Sequence, residues 1–212
     1  MRITILCSSE KHPVNAYLIK WKKANDTLHT IQVARNKSEL LGGDLLFLIS
    51  ASEIVAKAER ELYAKTLIVH ASDLPQGRGW SPHVWQIVNG ASDIVVTLLE
   101  AEDKVDSGRI WRKIHMLVGQ DMLWDEINDS LFNITLGMLD FAVNNFASVQ
   151  PIEQDANLRP TYYRRRYPED SRLDPDKTIR EQFNLLRVCD PGRFPAFFDL
   201  YGCRYVVTIR KA

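Results

Sequence analysis

Two segments carry the residues best suited to chemistry. The first, HASDLPQGRGWSPHVW, opens on the imidazole of His70 and then places Pro75, Gly77, Gly79 and Pro82 where neither helix nor strand can continue, so it reads as a tight, irregular loop. The second, EAEDKVDSGRIW, sets four carboxylates, Glu100, Glu102, Asp103 and Asp106, beside the turn residues Ser107 and Gly108. A carboxylate brought against His70 would orient the ring, the arrangement expected of an acid/base pair. Spacing alone does not say which carboxylate that is, and most of the four are expected to be solvated loop charges. His83 is the rival imidazole, but it follows Pro82 at the start of a short helix, where a histidine is usually partly exposed and structural.

These segments need strands to position them, because ligands of open α/β sheets sit beyond the carboxyl ends of the strands. Arg2–Cys7, Asp44–Ser50 (DLLFLIS), Thr66–Ala71 (TLIVHA) and Asp93–Leu99 (DIVVTLL) are short apolar runs of the kind that strands buried on both faces need. Thr27–Ala34 is rich in strand formers, and Arg109–Val118 reads as a further strand. Helices are expected over Pro13–Lys23, over Ser52–Ala64 with Ser52 as N-cap, over Pro82–Val88, and over Asp121–Phe146, where Leu123, Ile127, Leu131, Ile134 and Met138 recur at helical spacing. Strands alternating with helices imply a parallel sheet joined by right-handed crossovers. The expected class is therefore α/β, a Rossmann-like, doubly wound, mainly parallel sheet over residues 1–148. Residues 149–212 form a small C-terminal extension: an aperiodic arm with Pro151, Pro160, Pro168, Pro175 and the basic run Arg164–Arg166, read as a solvated face, then a helix over Thr178–Val188 and a strand over Arg204–Ile209.

Composition narrows the function classes. Apolar residues make up 45% and charged residues 25% of the 212, near the averages for globular domains. Lys plus Arg and Asp plus Glu number 27 each, so no global field draws in a nucleic acid. The three cysteines, Cys7, Cys189 and Cys203, are far apart and lack the pairings that hold zinc; no metal and a reducing cytoplasm are expected. The apolar start is interrupted at Glu10 and Lys11, too soon for a signal segment or a membrane span.

The sequence resembles the folate-dependent formyltransferases, which include the methionyl-tRNA, glycinamide ribonucleotide and sugar-nucleotide enzymes. That family carries His-x-Ser-x-Leu-Pro, then Arg-Gly-x-x-Pro, and some thirty residues on an Asp-x-Gly turn. Here His70, Ser72, Leu74, Pro75, Arg78, Gly79 and Pro82 match the first part and Asp106, Ser107 and Gly108 the second. Arg165–Leu173, Phe183–Arg187 and Tyr201–Ile209 look like the tail of the sugar-nucleotide members. The resemblance implies His70 and Asp106 as the catalytic pair and 10-formyltetrahydrofolate as formyl donor. It places the pterin between Ser50, Ala51, Ser52, Glu53 and Ile54 on one side and Glu102 and Asp103 on the other. Arg78, Gly79 and Trp80 would border the pocket of a nucleotide-linked amino sugar, in a chain with no nucleic-acid or membrane partner that could pair as a homodimer. Two other readings are a methionyl-tRNA formyltransferase-like enzyme and a catalytically impaired folate- or nucleotide-binding protein. The family's asparagine, two residues before its histidine, is replaced by Ile68, which cannot donate to an oxyanion; Thr66, Ser72 and Asn89 are the nearest polar substitutes in sequence.

Overall fold

The computed structural model describes all 212 residues, Met1–Ala212. Along the chain run β1 (Arg2–Leu6), α1 (Val14–Asn25), β2 (Thr30–Ala34), β3 (Gly43–Leu48), α2 (Lys57–Arg60) and β4 (Tyr63–His70). Then come β5 (Arg78–Gly79), α3 (Pro82–Val88), β6 (Asp93–Glu100), β7 (Ile110–Leu117) and α4 (Trp124–Asn144), and finally β8 (Tyr162–Tyr163), α5 (Ile179–Arg187), β9 (Ala196–Leu200) and β10 (Cys203–Val207). No helix is long and apolar enough to cross a membrane.

Six strands form the central sheet in the order β2-β1-β3-β4-β6-β7. The first four are parallel, as the apolar runs predict. Strand β6 runs antiparallel to β4, and β7 antiparallel to β6, so the all-parallel crossover pattern stops at β4. Because side chains alternate across a strand, Ile3, Ile5, Leu45, Phe47, Leu67, Ile94, Val96 and Leu98 meet α1 and α4 in the main core. On the other face Leu6, Ala34 and Leu46 form a smaller cluster with Leu40, Val55 and Tyr63.

That second layer is thin because the helix expected over Ser52–Ala64 forms only at Lys57–Arg60. Tyr63 and Ala64 are drawn into β4, where Tyr63 pairs with Gly43. Ser50 takes a left-handed φ of 54°, and the Ser52 N–H donates to Ser8 Oγ (3.0 Å), so Ser52 is not a cap. The cap of this turn is instead one-sided, with the Ala56 N–H donating to the Glu59 carboxylate. The long helix is α4, tied to α1 by the Trp21 indole N–H on Asp140 (2.6 Å). At the C-terminus, the expected strand is β10; its hairpin partner β9 has no counterpart in the sequence reading, and Leu173, Leu186, Cys189 and Ala196 form a separate small core.

Candidate active site

His70 is the last residue of β4 and only 7% exposed. Thr66, Ile68 and His70 share one face of that strand, opposite the main-core residue Leu67, and His70 sits beside Thr97 of β6. The ring is fixed at both nitrogens. Nε2 lies 2.8 Å from the Gly77 carbonyl, which can only accept, so Nε2 carries the proton. Nδ1 lies 3.7 Å from Asp106 Oδ2. That separation is longer than a hydrogen bond, within the range that tightens when substrate fills a site.

Asp106 reaches His70 by a route the strand-end rule does not anticipate. Since β6 is antiparallel, its last residue, Glu100, pairs with Leu67, below the carboxyl edge, and the Ala101 N–H donates to the Thr66 carbonyl (2.8 Å). The loop 101–109 then folds back over the sheet face. Asp106 turns with a left-handed φ of 50°, and its carboxylate accepts the Gly79 N–H at 2.8 Å. Gly108 is required there, because a Cβ would collide with the Glu100 carbonyl. Gly79 is required too, with φ +97° and a Tyr163 carbonyl where a Cβ would have to sit.

The other carboxylates separate cleanly. Glu102 and Asp103 are exposed, and Asp103 pairs with Arg60 at 2.5 Å. Glu100 is not solvated. It is buried and accepts from Lys65 (2.7 Å), Trp111 (3.2 Å) and Arg109 (3.0 and 2.8 Å). Burial pushes its carboxyl up, but these donors outweigh burial and hold it below the ordinary 4.5. A depressed carboxyl stabilises the fold above the unfolded-state pKa and loses that contribution as pH falls through the folded-state value. Glu100→Gln is therefore expected to cost about 1–3 kcal/mol at pH 7. Urea melts at falling pH should show the gap from the parent chain closing below pH 4.5.

His83 is half-buried in α3. Burial, with the nearby positive groups His70, His12 and Arg166 adding to it, pushes its pKa down to about 4. It is neutral at ordinary pH and makes no pair with a carboxylate, whereas His70 lies beside Asp106.

The arm is part of the site rather than a cover over it. Strand β8 pairs in parallel with β5, and Arg78 N donates to Thr161 O (2.9 Å), Trp80 N to Tyr163 O (3.1 Å) and Gly77 N to Thr161 Oγ1 (2.8 Å). The basic run is solvated only in part: Arg164 and Arg165 are exposed, as expected, while Arg166 is buried. Arg164 lies over Trp85, Arg165 over Trp80 and Arg166 over Phe194, at 4.8, 5.1 and 5.4 Å. Arg78 points inward, 5% exposed, and donates to Gln154 Oε1 (2.6 Å) and Tyr162 Oη (3.3 Å), while its Nε has no partner. Trp80 is 43% exposed. Gln154, Thr161 and Tyr163 were not legible as site residues, since nothing periodic marks the arm.

Two segments, 50–55 and 102–105, are tied together by one side chain. Arg60 joins them, donating to Val55 O (2.9 Å) and to Asp103 (2.5 Å). The backbone groups of Ala51 and Ile54 make no hydrogen bond within the chain, and the Ile54 and Val105 side chains are exposed. No His, Cys, Asp and Glu side chains are grouped to hold a metal ion.

No protein-family model matches the chain. A methionyl-tRNA formyltransferase from Phocaeicola vulgatus is 27% identical over 139 residues, which is 62% of this chain and 42% of the relative, so the match spans less than half of that protein. A methionyl-tRNA formyltransferase structure from Clostridium thermocellum superposes with a TM-score of 0.82 at 23% identity, over 96% of this chain and 90% of that one. The chain has the formyltransferase fold. HypX from Aquifex aeolicus in complex with tetrahydrofolic acid matches with a TM-score of 0.78 at 19% identity, covering 96% of this chain and 36% of HypX. A sugar N-formyltransferase from Shewanella sp. FDAARGOS_354 gives 0.73 at 15% identity, covering 99% and 97%.

Proposed function

We propose that the chain transfers a formyl group from 10-formyltetrahydrofolate to the primary amine of a nucleotide-linked amino sugar. The observation that carries the reading is the buried His70–Asp106 pair, its Nδ1 lone pair facing a carboxylate 3.7 Å away while Nε2–H is committed to Gly77. An imidazole held in that tautomer takes a proton at Nδ1, and the adjacent carboxylate stabilises the cation formed. The amine nitrogen attacks the formyl carbon, a new C–N bond forms, and the pair removes the amine proton. As the old C–N bond breaks, that proton returns to the departing N10 nitrogen. Metal chemistry is not needed for any of these steps.

The slot between Ser50, Ala51, Ser52, Glu53 and Ile54 and the loop at Glu102 and Asp103 is the donor site in this reading, with the free backbone groups of Ala51 and Ile54 meeting the pterin edge. The HypX complex with tetrahydrofolic acid supports the donor. Isothermal calorimetry with 5-formyltetrahydrofolate tests it: saturable binding is expected, and no heat at millimolar concentration would remove the donor assignment. The acceptor rests on the near-full-length likeness to a sugar N-formyltransferase and on Trp80, whose ring is held by Arg165 yet exposed at the mouth of the site. Trp80→Ala should raise the acceptor KM about tenfold and leave the donor KM near the parent value, since a stacked ring contributes mainly to ground-state binding. Equal effects on both would make Trp80 a packing residue. The Phocaeicola relative favours a second reading, in which the amine belongs to methionyl-tRNA. Parallel formylation assays with an amino-sugar nucleotide and with methionyl-tRNA discriminate the two.

A further inference from the structure

Gln154 follows the Ile152–Ile110 bridge that lays the arm against β7. Its side-chain amide spends both kinds of hydrogen-bonding group on the site. Nε2 donates to the carbonyls of Asp106 (2.8 Å) and Gly108 (3.0 Å), and Oε1 accepts from Arg78 Nη2 (2.6 Å). Only a primary amide offers two donors and an acceptor in one plane. We propose that Gln154 is the positioning residue that sets the Asp106 carboxylate against His70. It acts through the backbone of the 106–108 turn and through the Arg78 guanidinium.

The contacts form a closed circuit. Arg78 precedes Gly79, whose N–H holds Asp106 Oδ2 at 2.8 Å; Asp106 leads back through its own carbonyl to Gln154. Gly77, on the other side of Arg78, holds His70 Nε2. Thus one amide ties the loop that anchors the imidazole to the turn that presents the carboxylate. No neighbouring side chain duplicates it. The Ser107 hydroxyl is turned away, bonded to Lys104 O (2.8 Å), and the Asp106 and Gly108 carbonyls accept from no other group. Asp106 also needs outside support, because a non-glycine residue at a φ of 50° keeps that conformation only when its surroundings over-determine it.

This inference rests on the formyl-transfer reading for its kinetic arm only. Gln154→Glu, in the full chain, keeps the shape and still gives Arg78 an acceptor, but it removes both donors and sets a carboxylate against two carbonyl oxygens. Gln154→Met removes all three bonds with little change in volume. Both should lower kcat by about 30- to 100-fold, the scale of a misplacement near 1 Å, while donor and acceptor KM stay within about twofold. Independently of turnover, hydrogen exchange at the Gly79 amide should quicken by about tenfold in both variants as the bond to Asp106 loosens. Parent-like kcat and Gly79 protection in Gln154→Glu would overturn the proposal and leave Gln154 as an anchor for Arg78. Failure of both variants to fold would overturn it in favour of a purely structural role. If the parent chain transferred no formyl group but Gly79 exchange rose in both variants, the positioning would stand and the reaction assignment alone would fall.

Discussion

His70→Ala and Asp106→Ala are each expected to lower kcat by about 1000-fold, within the span that positioned acid/base groups contribute. Donor affinity should hardly change, because one proposed wall, Ser50–Ile54, lies on a different loop and the other, at Glu102 and Asp103, belongs to a loop that Gln154 holds through backbone carbonyls. The two residues share one proton-transfer task, so the double variant should be little slower than either single one. The 3.7 Å separation and the committed Nε2 leave Nδ1 and Asp106 as a unit. Losses that add in the double variant would mean that the two act separately. Neither substitution should unfold the chain: His70 lies at a strand end, and Asp106 lies in a loop that Gln154 still holds by its backbone.

Ile68→Asn is expected to raise kcat by about 100-fold, the usual worth of one oxyanion donor. Ile68 projects from the same face of β4 as His70, so an amide there would point into the same space. The gain carries a cost of about 2 kcal/mol in stability, since Ile68 packs on Leu74, Leu99 and Ile110. Of the polar residues nearest in sequence, Asn89 is exposed at the end of α3, and Thr66 Oγ1 makes a 3.5 Å contact to Arg60 O. Ser72 is different: its hydroxyl is buried without any partner. No rise in kcat for Ile68→Asn would mean that a donor is already present, and Ser72→Ala would then be the slow variant.

The strands of the central sheet were legible because each is a short apolar run ended by Gly, Pro or a charged cluster, and the place of His70 at a strand end before an irregular loop was legible for the same reason. Strand direction was not legible. DIVVTLLE is buried on both faces, and such a run reads alike in a parallel or an antiparallel setting. The consequence was local but real, since it sent the Asp106 loop back across the sheet face. The Ser52–Ala64 stretch has helical composition, yet pairing of Tyr63 with Gly43 overrode that preference beyond Arg60. Glu100 is buried only because Lys65, Arg109 and Trp111 converge on it from other strand positions, which no linear reading reveals. Gln154 meets partners 48 and 76 residues away, and the arm that carries it has no period.

The most direct test is a single turnover of 10-formyltetrahydrofolate with an amino-sugar nucleotide, read by mass spectrometry, in the parent chain and in Asp106→Ala. N-formylated nucleotide should appear in step with released tetrahydrofolate in the parent chain, and Asp106→Ala should bind the donor yet form product about 1000-fold more slowly. Equal rates in the two proteins would contradict the account, as would tetrahydrofolate released with no formylated amine.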